Sequence, residues 1–244
     1  MTDDRVADYY NAYWADSDLF PQKTVQERSF KQIAIDYAHS LMGDVRNKHI
    51  LEIGPGQGLE TLYFLKQGAR VCVVDISGTS LRLSRALAEA HGLGGSLEIR
   101  EGDALKVRLA DSEFDIIYAN QVLMHLDYMG FIRRCRHLLK DGGKAIFVEP
   151  LRYNPCMVLY RSLLSPYKNL KPRYVTLSDL YVGATEYSRF RHQEFYLFSL
   201  VLWFYKGKRL LPWLRRLHRL ESLLIDTVPL LRNLCWFTVV EYTK

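Results

Sequence analysis

"HILEIGPGQGLETLYFL", residues 49–65, passes from a short apolar run into a glycine-rich turn and then into a segment with helical periodicity. The glycines stand at positions 54, 56 and 58, whereas the dinucleotide fingerprint GxGxxG needs its third glycine at position 59, which is Leu59. A strand, a glycine turn and a helix in this order predict a turn whose free backbone amides face a ligand. The pattern GxGxG therefore favours a nucleoside site that is not a nicotinamide dinucleotide site.

Apolar runs alternate with helix-like segments on both sides of this turn, and this alternation predicts a parallel sheet. Five nearly all-apolar runs are typical of strands covered on both faces, and they are HILEIG, RVCVVDI, SLEIRE, FDIIYAN and KAIFVEP. Helices are predicted at 59–67, 77–91 and 127–139, and the last of them is expected to end at KDGG, residues 140–143. The segments YSRFRHQEFYLF and LCWFTVVEYTK indicate a sixth and a seventh strand, with a helical stretch between them at 200–233.

Composition sets the class of protein. A chain of 244 residues with 48% hydrophobic side chains is long enough for one large α/β domain. The four cysteines form no CxxC pair, so neither a zinc site nor a disulfide framework is predicted, and a reducing cytoplasmic setting is expected. The N-terminus has no signal-peptide pattern, and the longest apolar run, residues 195–205, is too short to span a bilayer. We expect a soluble or at most peripheral protein.

A second polar residue supports the nucleoside interpretation of the turn. Asp75 ends the second predicted strand about twenty residues after the glycines, where a carboxylate accepts hydrogen bonds from ribose hydroxyls. Two further motifs follow in order, REGDALKVRLADSEFDIIYANQVLMHLD and LLKDGGKAIFVEP. Together with LEIGPGQG they resemble the class I S-adenosylmethionine-dependent methyltransferases, in particular the small-molecule group whose first motif is LEIGxGxG. The resemblance covers residues 47–150 closely and both ends of the chain loosely.

The resemblance implies an α/β fold with a Rossmann-like, doubly wound, seven-stranded sheet that is mostly parallel and whose last strand is antiparallel. It implies an N-terminal helical cap and a helical insertion before that strand. The expected segments are a cap at 1–46, a cofactor-binding core at 47–150, a substrate-facing and helical insertion segment at 151–233, and the final core strand at 234–244.

The implied cofactor is S-adenosylmethionine, with S-adenosylhomocysteine as product. The glycines pass close to its sugar and methionine portion, and the other residues bind its remaining parts. The implied set is Gly54, Gly56 and Gly58 in the turn, Glu52 beside the methionyl amine, Asp75 at the ribose, Ile76 on the adenine, Asp103 and Ala104 at the adenine edge, and Asn120, with Gln121 next to it, near the methionine group. No metal is expected.

Methyl transfer from a sulfonium needs alignment, exclusion of water and, for some acceptors, removal of a proton. His125 in VLMHL is the candidate base, since the family places this histidine just after the fourth strand and imidazole titrates near neutral pH. The alternative is that His125 packs or hydrogen-bonds structurally at a helix start.

Candidate substrate residues lie at both ends of the chain. Tyr9, Tyr10 and Tyr13 fall on an N-terminal helix that folds over the cofactor as a lid in similar enzymes, although simple packing is the alternative. Glu149 ends the fifth strand, where either a substrate contact or a capping role is open. The further candidates after that strand are Arg152, Tyr153, Arg161, Tyr167, Arg173, Arg189, Arg191 and His192.

The C-terminal part is basic. Residues 151–244 carry 15 basic and 6 acidic side chains, against 18 and 21 in residues 1–150. Within it, residues 203–224 form an amphipathic basic stretch, which predicts a docked helix with a solvated face, a lid over a hydrophobic substrate or attachment to anionic lipid. An anionic or amphipathic small molecule is thus the expected partner, and peripheral membrane contact is an open alternative.

The sequence leaves four candidate functions. The first is a methyltransferase acting on oxygen, nitrogen or carbon of a small or amphipathic acceptor. The second is a nucleic-acid methyltransferase, which the basic part suggests but which lacks the NPPY-type tetrapeptide, since the chain has ANQV at 119–122. The third is a cofactor-binding partner protein without catalysis, and the fourth a nicotinamide dehydrogenase, against which Leu59 argues.

Overall fold

Seven strands form one sheet at the centre of the protein in a computed structural model that describes residues 3–15, 31–165, 170–199 and 211–244. In chain order they are β1 His49–Ile53, β2 Arg70–Asp75, β3 Leu97–Glu101, β4 Phe114–Asn120, β5 Leu139–Pro150, β6 Arg189–Phe195 and β7 Phe237–Thr243. Their spatial order is β3-β2-β1-β4-β5-β7-β6. Strands β1 to β5 pair in parallel, and β7 pairs antiparallel with both β5 and β6. The predicted doubly wound, mostly parallel sheet with an antiparallel last strand is confirmed.

Helices cover both faces of the sheet. In the described part of the chain they are α1 Asp3–Ala15, α2 Gln32–Met42, α3 Leu59–Lys66, α4 Gly78–Ala90, α5 Tyr128–Leu138, α6 Pro155–Leu163, α7 Leu177–Ala184 and α8 Leu211–Thr227. One face packs against α2, α3 and α4, where the Phe64 and Tyr118 rings meet at 5.3 Å between centroids. The other packs against α5 and α7, where Phe131 meets Phe147 at 5.8 Å. This double coverage explains why the central strands are nearly all apolar.

The carboxyl ends of the parallel strands bring the predicted site residues to one edge of the sheet. Two backbone hydrogen bonds join the loops there, from the Gly54 amide to the Val74 carbonyl at 2.9 Å and from the Gly102 amide to the Asp75 carbonyl at 2.9 Å. The winding direction of the sheet changes between β1 and β4. In open α/β sheets the ligand crevice lies at the carboxyl edge beside such a change.

Element ends differ in detail from the sequence expectations. Helix α5 ends at Leu138, and the KDGG segment belongs to β5, whose first residues pair with Phe114 of β4 across a register shift. Of the predicted amphipathic basic stretch, α8 begins at Leu211, while residues 203–210, like Tyr167, lie outside the described residues. Within the described ranges, no helix is both long enough and apolar enough to cross a bilayer.

Candidate active site

The glycine turn between β1 and α3 depends on left-handed backbone at all three glycines, with φ of +69° at Gly54, +58° at Gly56 and +75° at Gly58. A Cβ at Gly54 would lie 2.5 Å from Val122 Cγ2, and one at Gly58 would lie 2.7 Å from the Ser84 Cα. These two glycines therefore allow close packing against the loop after β4 and against α4. The backbone of the turn can pass close to a ligand chiefly at Gly56.

Two acids lie beside the turn. The Asp75 carboxylate accepts hydrogen bonds from the Ser77 amide at 2.9 Å and the Ser80 hydroxyl at 2.7 Å. Burial raises the pKa of Asp75, and these hydrogen bonds oppose that rise. Glu52 is buried in β1 and accepts a hydrogen bond from the Thr61 hydroxyl at 2.6 Å. Both acids are thus held in fixed positions by neighbouring donors.

The loop after β3 lies next to the end of β2. The Asp103 carboxylate accepts the Leu105 amide at 2.8 Å and lies 3.1 Å from the Lys106 ammonium, while Ala104 is buried in the core. Ile76, directly after Asp75, is half-buried. Because the Gly102 amide bonds the Asp75 carbonyl, the two predicted adenine-binding segments are neighbours.

Helix α1 covers the turn with one face. Val6, Tyr10 and Trp14 recur at a spacing of four, which places them on the same side of a helix. Val6 is buried, and the Trp14 ring atoms nearest to Gly56 lie 3.1 Å from the position that a Cβ would take there. On the flank of this face, the Asn11 side-chain oxygen accepts the Ser77 hydroxyl at 2.8 Å and the Thr79 amide at 3.2 Å. Asn11 thereby docks α1 on the start of α4.

His125 lies in a short 3-10 turn directly after β4, below α1. Its Nε2 is 2.8 Å from the Tyr10 hydroxyl, and the two rings meet edge to face at 5.5 Å between centroids. None of the described residues provides a hydrogen-bond partner for Nδ1. Burial lowers the pKa of His125 to about 4, so the imidazole is neutral at neutral pH. A neutral imidazole next to the lid is chemically able to accept a proton.

Glu149 holds the turn that carries His125. Its carboxyl group is fully buried, and Oε1 accepts the amides of Val122 at 2.8 Å and Leu123 at 3.0 Å. Burial raises the pKa of Glu149 to about 8 against the effect of these backbone hydrogen bonds. Glu149 therefore caps the 3-10 turn between β4 and His125, as one of the two sequence alternatives expected.

The other predicted substrate residues are divided between the site and its surroundings. Tyr9 and Tyr13 stack on α1 at 6.1 Å between ring centroids, and nearly half of Tyr13 is exposed. Arg152 and Tyr153 follow β5 and are exposed, with the guanidinium 5.7 Å from the tyrosine ring centroid. His192 is not brought to this group.

His192 lies on β6, three strands from β4, and its neighbours explain its position. Its Nδ1 is 2.6 Å from Glu194 Oε1, and its Nε2 is 3.1 Å from the Tyr181 hydroxyl. Arg191 on the same strand forms a two-pronged pair with the buried Glu241, with both distances at 2.9 Å. These contacts stabilise the end of the sheet away from the glycine turn.

Three residues of this region have no place in the sequence-predicted set. Asn11 and Trp14 lie within the predicted lid helix, but the sequence indicated only its tyrosines as candidate substrate residues. Lys31 directly precedes α2, and its ammonium donates to the Gln121 side-chain oxygen at 2.7 Å, beside Asn120. Asn120 itself accepts a weak hydrogen bond from the Gln121 side chain at 3.3 Å. No periodicity or motif in the sequence marks Lys31.

An open cleft of about 510 Å³ lies next to the docked end of α1. It is lined by Asn11, Gly78, Thr79, Leu81, Arg82, Arg85, Ile99 and Glu101. None of the three turn glycines lines it, because Trp14 covers Gly56. The chemistry-bearing residues are therefore gathered under α1 rather than in this cleft.

The chain is similar in sequence to known methyltransferases. Residues 51–147 match the methyltransferase domain family. The chain is 30% identical over 139 residues to a ubiquinone biosynthesis O-methyltransferase of Alkalilimnicola ehrlichii, covering 55% of this chain and 54% of the relative. It is 29% identical over 151 residues to the protein of the same name from Coxiella burnetii, covering 61% and 59%. The chain thus spans a little over half the length of these curated relatives.

Solved structures resemble the whole chain in fold. A geranyl diphosphate C-methyltransferase of Streptomyces coelicolor has a TM-score of 0.68 at 11% identity, with 99% of this chain and 97% of that chain covered. The 4+2 cyclase SpnF has a TM-score of 0.63 at 15% identity, with 100% and 97% covered. Because one fold serves such different reactions, these likenesses show the fold alone.

Proposed function

We propose that this chain is a class I S-adenosylmethionine-dependent methyltransferase that methylates an oxygen of a small organic acceptor, as its sequence motifs predict and as the match of residues 51–147 to the methyltransferase domain family supports. The observation that carries the proposal is the placement of His125 under α1, in the loop that touches Gly54 through Val122. The curated relatives that match along more than half of this chain are O-methyltransferases by name, which favours oxygen over nitrogen or carbon.

The residues present fit S-adenosylmethionine. Gly56 adds no side chain of its own to the left-handed turn under Trp14, and Asp75 offers carboxylate oxygens at the end of β2. Glu52 near the end of β1 would bind the methionyl amine, and Asp103 with Ala104 would border the adenine. When bound, this cofactor supplies a methyl group already activated by the positive sulfur.

The side chains have separate tasks in the reaction. With the cofactor bound, the acceptor oxygen would take the activated methyl group, the sulfur would keep the electron pair of the broken carbon–sulfur bond, and the hydroxyl proton would have to leave. His125 takes that proton at Nε2, where the acceptor hydroxyl replaces the hydrogen bond of Tyr10, and Glu149 keeps the histidine turn in place. Helix α1 excludes water above the reacting atoms through Tyr10 and Trp14.

An amphipathic acceptor is part of the proposal. Tyr160 on α6, after burial and Tyr13, contributes to the raised pKa of Tyr9 on α1, so α6 lies within electrostatic range of that helix. The outer face of α6 exposes apolar side chains, namely Val158, Leu159 and Leu163. An apolar surface beside the lid favours a molecule with a hydrophobic portion, and it is compatible with peripheral contact to a membrane.

Two measurements test the proposed function. S-adenosylhomocysteine should bind in calorimetry with micromolar affinity and raise the melting temperature, because a ligand of the folded state stabilises that state by mass action, whereas NADH should do neither. Methyl transfer from isotopically labelled S-adenosylmethionine should then be measured on matched sets of phenols, amines and carbon acids. Transfer to phenols in preference to the others supports the proposal. Absence of S-adenosylhomocysteine binding would overturn it.

A further inference from the structure

Lys31 lies beside loop 121–125 of the proposed site. It directly precedes α2, which packs on β5 and β7 at the same sheet edge. Its ammonium nitrogen is 2.7 Å from Gln121 Oε1, and Gln121 follows the last residue of β4 with φ of +61°, held by its amide's hydrogen bond to the Val148 carbonyl. A non-glycine residue in this left-handed conformation is uncommon and is typical of functional loops. Lys31 and His125 are thus at opposite ends of loop 121–125.

Two aromatic rings border the Lys31 ammonium. Its nitrogen lies 5.2 Å from the centroid of Phe237 and 5.9 Å from that of Trp236, and both of these rings are buried. Ring faces attract a cation but leave its hydrogen-bond donors unused. An ammonium has three donors, and the Gln121 oxygen takes one of them.

Lys31 has no anionic partner in the described structure. No described carboxylate lies within ion-pair distance of its nitrogen, and the one acceptor there is a neutral amide. Burial lowers the pKa of Lys31 to about 8, because the charged form is poorly solvated at this position. A poorly solvated charge without a counter-ion is costly, and in a low-dielectric setting an anion close to it interacts strongly.

We infer that Lys31 is an anion-binding residue of the acceptor site, where it pairs with a carboxylate or phosphate group of the acceptor. The inference rests on the proposed function, because it places the anionic group of the acceptor at the end of loop 121–125 opposite His125. The acceptor then carries two features at a fixed separation, a hydroxyl at His125 and an anionic group at Lys31. Such a pair of contacts sets both orientation and specificity.

Small anionic and neutral aromatic probes test this inference without knowledge of the true acceptor. Calorimetry on protein with and without saturating S-adenosylhomocysteine should compare benzoate, phenyl phosphate and the neutral benzyl alcohol. The wild type should bind one of the anions about 10-fold to 100-fold more tightly than the alcohol, as a charge-assisted hydrogen bond in a buried site provides. The stronger of the two anions identifies carboxylate or phosphate. A wild type with no preference for either anion overturns the inference.

Variants separate the charge of Lys31 from the packing of its stem. Lys31→Met should lose the preference for the anion and retain S-adenosylhomocysteine affinity, and Lys31→Arg should keep a preference. Lys66→Met, which changes an exposed lysine at the end of α3, is the matched control and should behave as wild type. Undiminished anion preference in Lys31→Met would contradict the inference even if the cofactor binds normally, whereas loss of cofactor binding by the wild type would contradict the proposed function.

A spectroscopic readout is independent of affinity. After reductive methylation with carbon-13 formaldehyde, the Lys31 resonance can be assigned by its absence in Lys31→Arg. Its pKa should start near 8 and rise when the preferred anion is added, because a neighbouring negative charge favours the ammonium form. A pKa that does not move at saturating probe would place the anion elsewhere.

Discussion

The Tyr10 hydroxyl lies 2.8 Å from Nε2 of His125, although 115 positions separate the two residues. This hydrogen bond joins the N-terminal helix to the loop after the fourth strand. It points the basic nitrogen of His125 toward the underside of α1, where the glycine turn is also covered. Helix α1 and the candidate base are therefore in direct contact. Substitutions of Tyr10 and of His125 should have different effects on kcat.

Replacing His125 tests its role as proton acceptor. His125→Ala should lower kcat on a hydroxyl acceptor by about 10²–10⁴-fold, the usual contribution of a general base, while S-adenosylhomocysteine affinity changes little. Tyr10→Phe removes the hydroxyl that contacts His125 and should lower kcat by a smaller factor, about 3-fold to 10-fold, in line with one net hydrogen bond. Steady-state kinetics with calorimetry checks both. A mild His125→Ala variant would leave alignment alone as the mechanism.

The same imidazole should make stability depend on pH. Burial lowers the pKa of His125 to about 4 from the ordinary 6.5, so the unfolded chain binds more protons between these values. The stabilisation is fully present above pH 6.5 and is lost as pH falls toward 4, with a slope of at most about 1.4 kcal/mol per pH unit. Urea unfolding of wild type and His125→Gln at about pH 7.5 and about pH 5 should show the steeper loss in the wild type. Parallel losses in both proteins would contradict the burial of a neutral His125.

Sequence reasoning succeeded where the pattern is local. The nearly all-apolar runs, the GxGxG turn and the acid at Asp75 are each visible as short local patterns, so the fold was predictable. The role proposed for Lys31 could not be predicted from the sequence. One of the rings beside its ammonium belongs to Phe237, which lies 206 positions later in the chain. Likewise, the contacts of Asn11 and Trp14 form only because α1 lies across the turn, and no local sequence pattern predicts them. The cap role of Glu149 was one of two alternatives, and only the position of the Val122 amide distinguishes them.

Substitution of Gly56 should weaken cofactor binding, and substitution of another glycine with the same backbone conformation should not. Gly56→Ala and Gly92→Ala both place a side chain at positive φ, +58° and +70°, and each should lose about 1–2 kcal/mol of unfolding free energy. Only Gly56 lies under Trp14, whereas a Cβ at Gly92 meets nothing within 4 Å. Gly56→Ala should therefore weaken S-adenosylhomocysteine binding by on the order of tenfold or more, and Gly92→Ala should not. Equal affinities in calorimetry would place the cofactor away from this turn.

Asp75 provides a second test of the cofactor position. Asp75→Ala removes a carboxylate that the proposal places at two ribose hydroxyls, and a charge-assisted hydrogen bond contributes about 1.5–3 kcal/mol. S-adenosylhomocysteine affinity should fall accordingly, while Asp111→Ala, a change of an exposed acid in the loop before β4, should leave it unaltered. Asp75→Asn, which keeps one acceptor oxygen, should lie between them. An Asp75→Ala variant with wild-type affinity would remove Asp75 from the site.

The Glu149 carboxyl is buried and titratable, and it also accepts the two backbone amides of the turn that it caps. Glu149→Gln and Glu149→Ala test these two properties separately. Burial raises its pKa to about 8 from 4.5, so the folded protein keeps a proton that the unfolded chain releases. The stability from this group is fully present below pH 4.5 and is lost as pH rises through 8. Glu149→Gln keeps the acceptor for the Val122 and Leu123 amides and does not titrate, so its stability relative to wild type should increase between those pH values.

Glu149→Ala should behave differently, because it leaves two buried amides without their acceptor. We expect a loss of about 1–3 kcal/mol of unfolding free energy at every pH and a lower kcat, since the turn that positions His125 is no longer held. S-adenosylhomocysteine affinity should remain, because the glycine turn and Asp75 are unchanged. Urea titrations across the pH range, together with kcat and KM for all three proteins, provide the check. If Glu149→Ala retained wild-type kcat, the cap would not position His125, and if Glu149→Gln followed the wild-type pH profile, the carboxyl would be ionised in the folded protein.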